Sequence, residues 1–360
     1  MPGLHMGSEN ATLNPGFLSP NPDFATDYSH LCDAVWEPRR GTMRRAFHTQ
    51  EPIMPLALTT AENDDLPTSP DASPADLHRA LARWNRRRLT PATPSDDWAT
   101  QLAEDTQMLR HERAFVEGLR AAARPWLADL PADPAGFVEW FETLQGRGPG
   151  ENDPLFSWLA DSADMEAMQW FLLQEVAGEA GFEDLVAMAQ VKMPTRPKLE
   201  LARNYWDEMG RGNEGGMHGP MLDRLAKALH LQPTIETTVW PSLALGNLLV
   251  AFAANRQYAF HALGALGVVE LTAPWRATHV ATGLKRLGVG AERKYYALHA
   301  TLDVEHSKAW NEEVLTPLAE AEPQVIRSLA EGAVMRLMAG QQCFNAYREV
   351  LWAAESRLAG

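Results

Sequence analysis

From Pro74 onward, apolar residues recur at threes and fours along the chain, and no segment alternates apolar and polar residues as a half-buried strand does. The punctuation between these runs is that of helices. Ser95-Asp96-Asp97, Asp133-Pro134, Asp164 and Thr195 each place a capping or helix-opening residue ahead of a periodic run, while Gly146-Arg147-Gly148, Gly178, Gly210 and Gly288 close others. The pattern predicts an all-α chain of roughly nine or ten helices of ordinary length, with no internal repeat. Residues 1 to about 74 read differently, being rich in Pro, Ser, Asn and Asp without sustained periodicity. Such a segment buries too little surface to offset the entropy of ordering it, so it is expected to be a mostly flexible leader. Within it, Tyr28 to Phe47 holds enough apolar residues for a short docking helix. The expected division is therefore a leader over 1–74 and a helical domain over 75–360.

Thr237 to Asn255 carries no charge and approaches the length of a membrane span. Pro241, Asn247 and Asn255 interrupt it, and Arg256, Tyr258 and His261 follow at once, so it is expected to be a buried helix near the centre of a bundle.

Composition narrows the function classes. The 360 residues are 45% hydrophobic, enough for a sizeable core. A formal charge of −15 argues against a nucleic-acid partner, because no basic face dominates. The local cluster Arg39, Arg40, Arg44 and Arg45 reads as a solvated basic segment. With only Cys32 and Cys343, neither a disulfide framework nor a thiolate metal site is available, and the count suits a reducing cytoplasm. The stretch from Gly3 to Asp23 lacks the pattern of a secretory signal. A cytoplasmic protein without nucleic-acid or membrane partners is the resulting expectation, with a homodimer left open.

The residues that carry chemistry lie further on. In YYALHATLDVEHSKAW (295–310), His299, Asp303 and His306 stand at i, i+4 and i+7, within an arc of about 60° on one helix face. Two imidazoles and a carboxylate so placed suit a divalent iron centre; a chance alignment on a polar surface is the plain alternative. In NYWDEMGRGNEGGMHG (204–219), Glu208 precedes His218 by ten positions, about 80° apart on an unbroken helix. Four glycines between them permit a break through which both converge, with Glu214 as an alternative ligand. Glu270 closes a nearly charge-free run just before Pro274, where a carboxylate is costly to bury unless paired, protonated or bound to metal. Glu175 lies four positions after Phe171 on an apolar face, and Glu179 and Glu183 compete with it.

Taken in order, Glu208, His218, Glu270 and the set His299-x3-Asp303-x2-His306 resemble the ligand series of the haem-oxygenase-like di-iron oxidases and oxygenases. The resemblance covers about residues 160 to 310. It implies a helical bundle of haem-oxygenase-like fold that holds two iron ions, Fe2+ in the reduced resting form, with dioxygen as co-substrate. It assigns Glu208, His218, Glu270, His299, Asp303 and His306 as ligands, and Glu175 as the nearest match to a further glutamate found in some relatives. The expected reaction is oxidation of a small amine-bearing or amino-acid-derived metabolite, by N-oxygenation, desaturation or oxidative C–C cleavage, with an external electron donor. A haem protein of the same fold, with His261 or His279 as axial ligand, and a non-enzymatic helical binding protein are the rivals. Gly288 and Gly290, just before the helix with three of the ligands, suggest a hinge that leaves residues 290–310 disordered without metal. Trp206, Tyr258, Phe260, Tyr295 and Tyr296 either line a pocket or fill the core.

Overall fold

Capping residues start several helices in the way the sequence implies. Ser73 accepts a hydrogen bond from the Asp76 N–H at 3.2 Å, Asp133 from Gly136 at 2.8 Å and Asp153 from Leu155 at 3.0 Å. A proline follows each at the first helical position, where its missing N–H is not needed. These caps open α1 (Pro74–Leu89), α3 (Pro134–Arg147) and α4 (Pro154–Asp161), with α2 (Trp98–Ala123) between the first two. The computed structural model describes residues 73–179 and 181–358. The expected leader, its docking helix between Tyr28 and Phe47, the arginine cluster and Cys32 fall outside the described residues, apart from positions 73 and 74.

The chain continues through α5 (Met165–Glu179), α6 (Phe182–Ala189), α7 (Thr195–Glu208), α8 (His218–Ala228), α9 (Trp240–Ala254) and α10 (Ala259–Arg286). It ends with α11 (Lys294–Trp310), α12 (Thr316–Ala321) and α13 (Ile326–Leu358). Among the described residues every regular element is helical, so the fold is all-α. There are more helices than the periodicity separates, because α4, α6 and α12 span two turns or so each, too short for a 3.6-residue period to stand out.

The charge-free run is the buried helix expected. In α9, Leu248, Ala251 and Phe252 are fully buried. Its one amide inside the core is satisfied: Asn247 donates to the His78 carbonyl at 2.9 Å and accepts from Asn85 at 2.8 Å, which ties α1 to α9. No helix among the described residues is long and apolar enough to cross a membrane.

The long helices α10, α11 and α13 frame the site. A Cβ on Gly264 would stand 1.8 Å from the Leu329 carbonyl oxygen, and one on Gly267 would stand 2.5 Å from the Trp310 ring nitrogen. Glycine at these positions lets α13 and α11 approach the α10 backbone closely, and Trp310 uses that proximity to donate to the Leu263 carbonyl at 3.1 Å. Here the structure corrects one boundary. Pro274 does not end the helix; α10 runs through it to Arg286. Having no N–H, the proline only withholds the bond that the Glu270 carbonyl would receive, and burial on all sides holds the rest of the helix together. Glu270 is thus a mid-helix residue. After α11 the backbone widens into one π-helical turn, Asn311–Leu315.

Candidate metal centre

On α7, Glu200, Asn204 and Glu208 recur every four residues and are all buried, a polar stripe facing inward. The helix stops at Glu208, and two tight turns, Gly210–Gly212 and Glu214–Gly216, follow. Gly210 has φ +61°, and a Cβ there would lie 2.4 Å from the Gly216 carbonyl carbon, so only glycine closes the turn. The reversal returns the chain so that His218, the first residue of α8, sets its Nδ1 2.5 Å from Glu208 Oε2. Exposed Glu214 stays outside this meeting.

The other half comes from α11 and α10. His299 Nδ1 lies 2.7 Å from the Tyr295 carbonyl, which can only accept; Nδ1 therefore carries the proton and Nε2 the free lone pair. The rings of His299 and His218 meet edge to face at 4.6 Å. Glu208, His218 and His299 bring one donor atom each within 4.8 Å of one another, and so do Glu208, Glu270 and His306. Glu208 belongs to both groups. Asn204 donates to Glu270 Oε1 at 2.7 Å, leaving Oε2 facing His306 Nδ1 at 3.4 Å. Asp303 is buried on the same face of α11 and acts on His306 electrostatically, but joins neither group.

Burial and mutual charge shape the protonation of these groups. Burial pushes Glu208 up to about 7, assisted by the Glu270 charge and opposed by His299 and His306. Burial, with the His306 charge, pulls His218 down to about 4, and burial with His218 lowers His299. Burial lowers His306 too, but Glu270, Asp207 and Asp303 outweigh it and push it up to about 11. The Nδ1 atoms of His218 and His306 are buried, make no hydrogen bond and face carboxylate oxygens. Buried imidazole nitrogens that face carboxylates without a hydrogen bond between them fit a divalent cation of the iron type, which would take the place of the proton that the surrounding acids otherwise hold on His306.

Glu175 stands elsewhere: its Oε1 accepts from the Tyr347 hydroxyl at 2.9 Å, and it joins neither group. Its competitor Glu183, near the start of α6, has its Oε1 3.0 Å from where a Cβ of Gly219 would be, beside His218, and interacts electrostatically with Glu208 and His218. The side chain of Glu179 lies outside the described residues. His261 is committed to the Glu331 carboxylate, 3.1 Å from Nε2, and His279 Nδ1 to the Trp275 carbonyl at 2.8 Å. Of the aromatics, Tyr258, Tyr295 and Tyr296 are buried, Phe260 is half-buried and Trp206 is half exposed, its ring against Gly212. Tyr295 stacks obliquely on His299 with centroids 4.3 Å apart.

Sequence reasoning passed over Asn204, which orients Glu270, and Asp207, whose Oδ2 lies 3.3 Å from His306 Nε2. Both sit one turn or less before Glu208 in a segment already singled out, and their spacing along α7 was the available signal. Residues 169–341 match the sequence model of a family described as iron-containing redox enzyme, and the match contains every member of the two donor groups. No curated protein matches the chain.

Proposed function

The chain belongs, through residues 169–341, to the iron-containing redox enzymes of haem-oxygenase-like fold, and from that premise we propose that it is a non-haem di-iron oxygenase or oxidase. Family membership makes it an iron-using oxidoreductase; the nuclearity and the use of dioxygen are our reading. The observation that carries it is that Glu208 stands in both three-donor groups. A carboxylate has two oxygens and can serve two ions at once, whereas an imidazole has one free nitrogen for the purpose. Each group would then hold one ion through nitrogen and oxygen donors, His218 and His299 with Glu208 in one, His306 and Glu270 with Glu208 in the other.

Charge supports the same count. Glu183, Glu208, Glu270 and Asp303 are four carboxylates that, ionised, would offset two divalent ions, and burying three of them, Glu208, Glu270 and Asp303, without cations is costly. Glu183 fits the further glutamate that the family resemblance led us to expect, in place of Glu175. Two bound ferrous ions would supply the electron pair needed to activate dioxygen. The protein's own part is to orient and to shield. Tyr295 fixes the tautomer of His299, Asn204 fixes Glu270, and the burial of Glu208, His218, Glu270 and His306, with His299 half-buried beside them, limits the access of water to the reacting centre.

The substrate is a small amine-bearing or amino-acid-derived metabolite, and the reaction is N-oxygenation, desaturation or oxidative C–C cleavage, with electrons returned by an external donor. This part rests on the family resemblance. The test is metal analysis after anaerobic loading with ferrous iron, on wild type and on Glu208→Ala, His299→Ala and Asp303→Ala. Two irons per wild-type chain and clear loss in the variants are expected. A wild type that holds one iron or none refutes the di-iron reading.

A further inference from the structure

We propose that Asp207, held in place by Arg211, is a positioning residue that fixes the tautomer and orientation of His306, so that Nδ1 is the nitrogen presented to the metal. The inference rests on the di-iron reading and deepens it. Its basis is geometric. His306 is buried, and its two ring nitrogens face different carboxylates: Nδ1 faces Glu270 Oε2 at 3.4 Å without a hydrogen bond, and Nε2 meets Asp207 Oδ2 at 3.3 Å. An ionised carboxylate can only accept, so the Nε2 hydrogen donates to Asp207, and Nδ1, which makes no hydrogen bond, is the nitrogen open to a cation.

Asp207 is itself secured. Its other oxygen, Oδ1, accepts from Arg211 Nε at 2.6 Å. Arg211 adopts φ +53°, a left-handed conformation that costs a non-glycine residue energy. It lies within the glycine turn that carries the chain from Glu208 to His218. The turn thereby has two tasks: it returns His218 to the site, and it aims a guanidinium at the carboxylate behind His306. His306 differs in this from His299, which is oriented through Nδ1 by a backbone carbonyl and presents Nε2. The two imidazoles of α11 so present opposite nitrogens, one to each donor group. That lets residues seven positions apart on one helix reach two ions instead of one.

The test uses Zn2+ as a diamagnetic probe on the full chain. Binding is titrated in wild type, Asp207→Ala, Asp207→Asn and Arg211→Ala, and long-range 1H–15N spectra read the histidine side chains. Wild type is expected to take up two zinc ions, with His306 metal-bound at Nδ1 and protonated at Nε2. Asp207→Ala is expected to bind the ion held by His306 about 10- to 100-fold more weakly, and its Nε2 proton signal is expected to vanish through solvent exchange. Arg211→Ala should shift affinity the same way by a smaller factor. Asp207→Asn retains an acceptor of the same shape, so it should keep the Nε2 proton signal while losing part of the affinity; this separates orientation from misfolding. Unchanged affinity and an unchanged His306 tautomer in Asp207→Ala overturn the inference while leaving the di-iron reading intact. Failure of wild type to bind stoichiometric metal overturns both.

Discussion

Three glutamates near the end of α5 and the start of α6 offered themselves as a further ligand, and the side chains of two of them, Glu175 and Glu183, point to different places. Glu175 is turned to the Tyr347 hydroxyl, which also meets Ser242 at 2.7 Å, so its partners lie in the core between α5, α9 and α13. Glu183 follows Gly181, whose φ of +92° turns the chain into α6, and its carboxylate arrives beside Gly219, where a larger residue would touch it at 3.0 Å. Replacing each with glutamine therefore has different consequences. Glu183→Gln is expected to lower ferrous-iron affinity about tenfold or more, and Glu175→Gln to leave it within about twofold. Equilibrium dialysis under nitrogen compares them directly, and the reverse order would return the assignment to Glu175. Periodicity could not make this choice, because all three glutamates fall close to a helix boundary where a one-residue change in the turn redirects every following side chain.

At the scale of elements, the parts of the site that were legible in the sequence were those with local signatures. The set His299, Asp303 and His306 shares a helix face because spacing alone fixes it, and the glycines after Glu208 announced a reversal because a helix interior does not tolerate four of them. The extent of the Glu270 helix was not legible, since Pro274 is a helix terminator in most surroundings and is overruled here by packing from α11 and α13. The short linker Leu287–Arg293 joins α10 to α11. Gly288 has φ +81°, and Arg293 donates at 2.7 Å to the Gly290 carbonyl, so the link is closed on itself and adds little to hold α11. Packing on α10 and the Asp207 contact hold α11, and on the di-iron reading metal bound by His299 and His306 would fasten it further. Hydrogen exchange over 294–310 is thus expected to slow at least about tenfold when metal is added. Equal protection with and without metal would mean that packing alone sets the helix, and the hinge expected at Gly288 and Gly290 would be abandoned.

Over the whole molecule, the family match starts in α5 and ends in α13, leaving α1 to α4 outside it. The all-α class followed from periodicity, but the way α1 joins the bundle did not, because it depends on a buried polar contact between residues 169 positions apart. There His78 stacks on Trp240 and meets Phe115 edge to face, and burial pulls its pKa from 6.5 down to about 4. A histidine lowered in this way is neutral when folded and protonated when unfolded once the pH drops below 6.5. Its contribution is therefore complete above 6.5 and is lost as pH falls toward 4. Glu331 acts in a lower window. Burial would raise it, but His261 and Arg120 hold it down at about 2, so its contribution is present above 4.5 and is lost as pH falls toward 2. Between pH 7 and pH 5 only His78 of the two titrates, and its share of the stability lost by metal-free protein is about 2 kcal/mol. The shorter contact with Asn247 runs through the His78 backbone carbonyl at 2.9 Å, so His78→Leu keeps it; the variant loses the ring's 3.4 Å approach to Asn247 and its aromatic contacts at every pH, and the titration with them. Urea unfolding in the presence of a chelator should show the variant losing about 2 kcal/mol less than wild type across that interval. Parallel losses would mean that His78 is protonated in the folded chain, and that α1 opens from α9 well before the bundle unfolds.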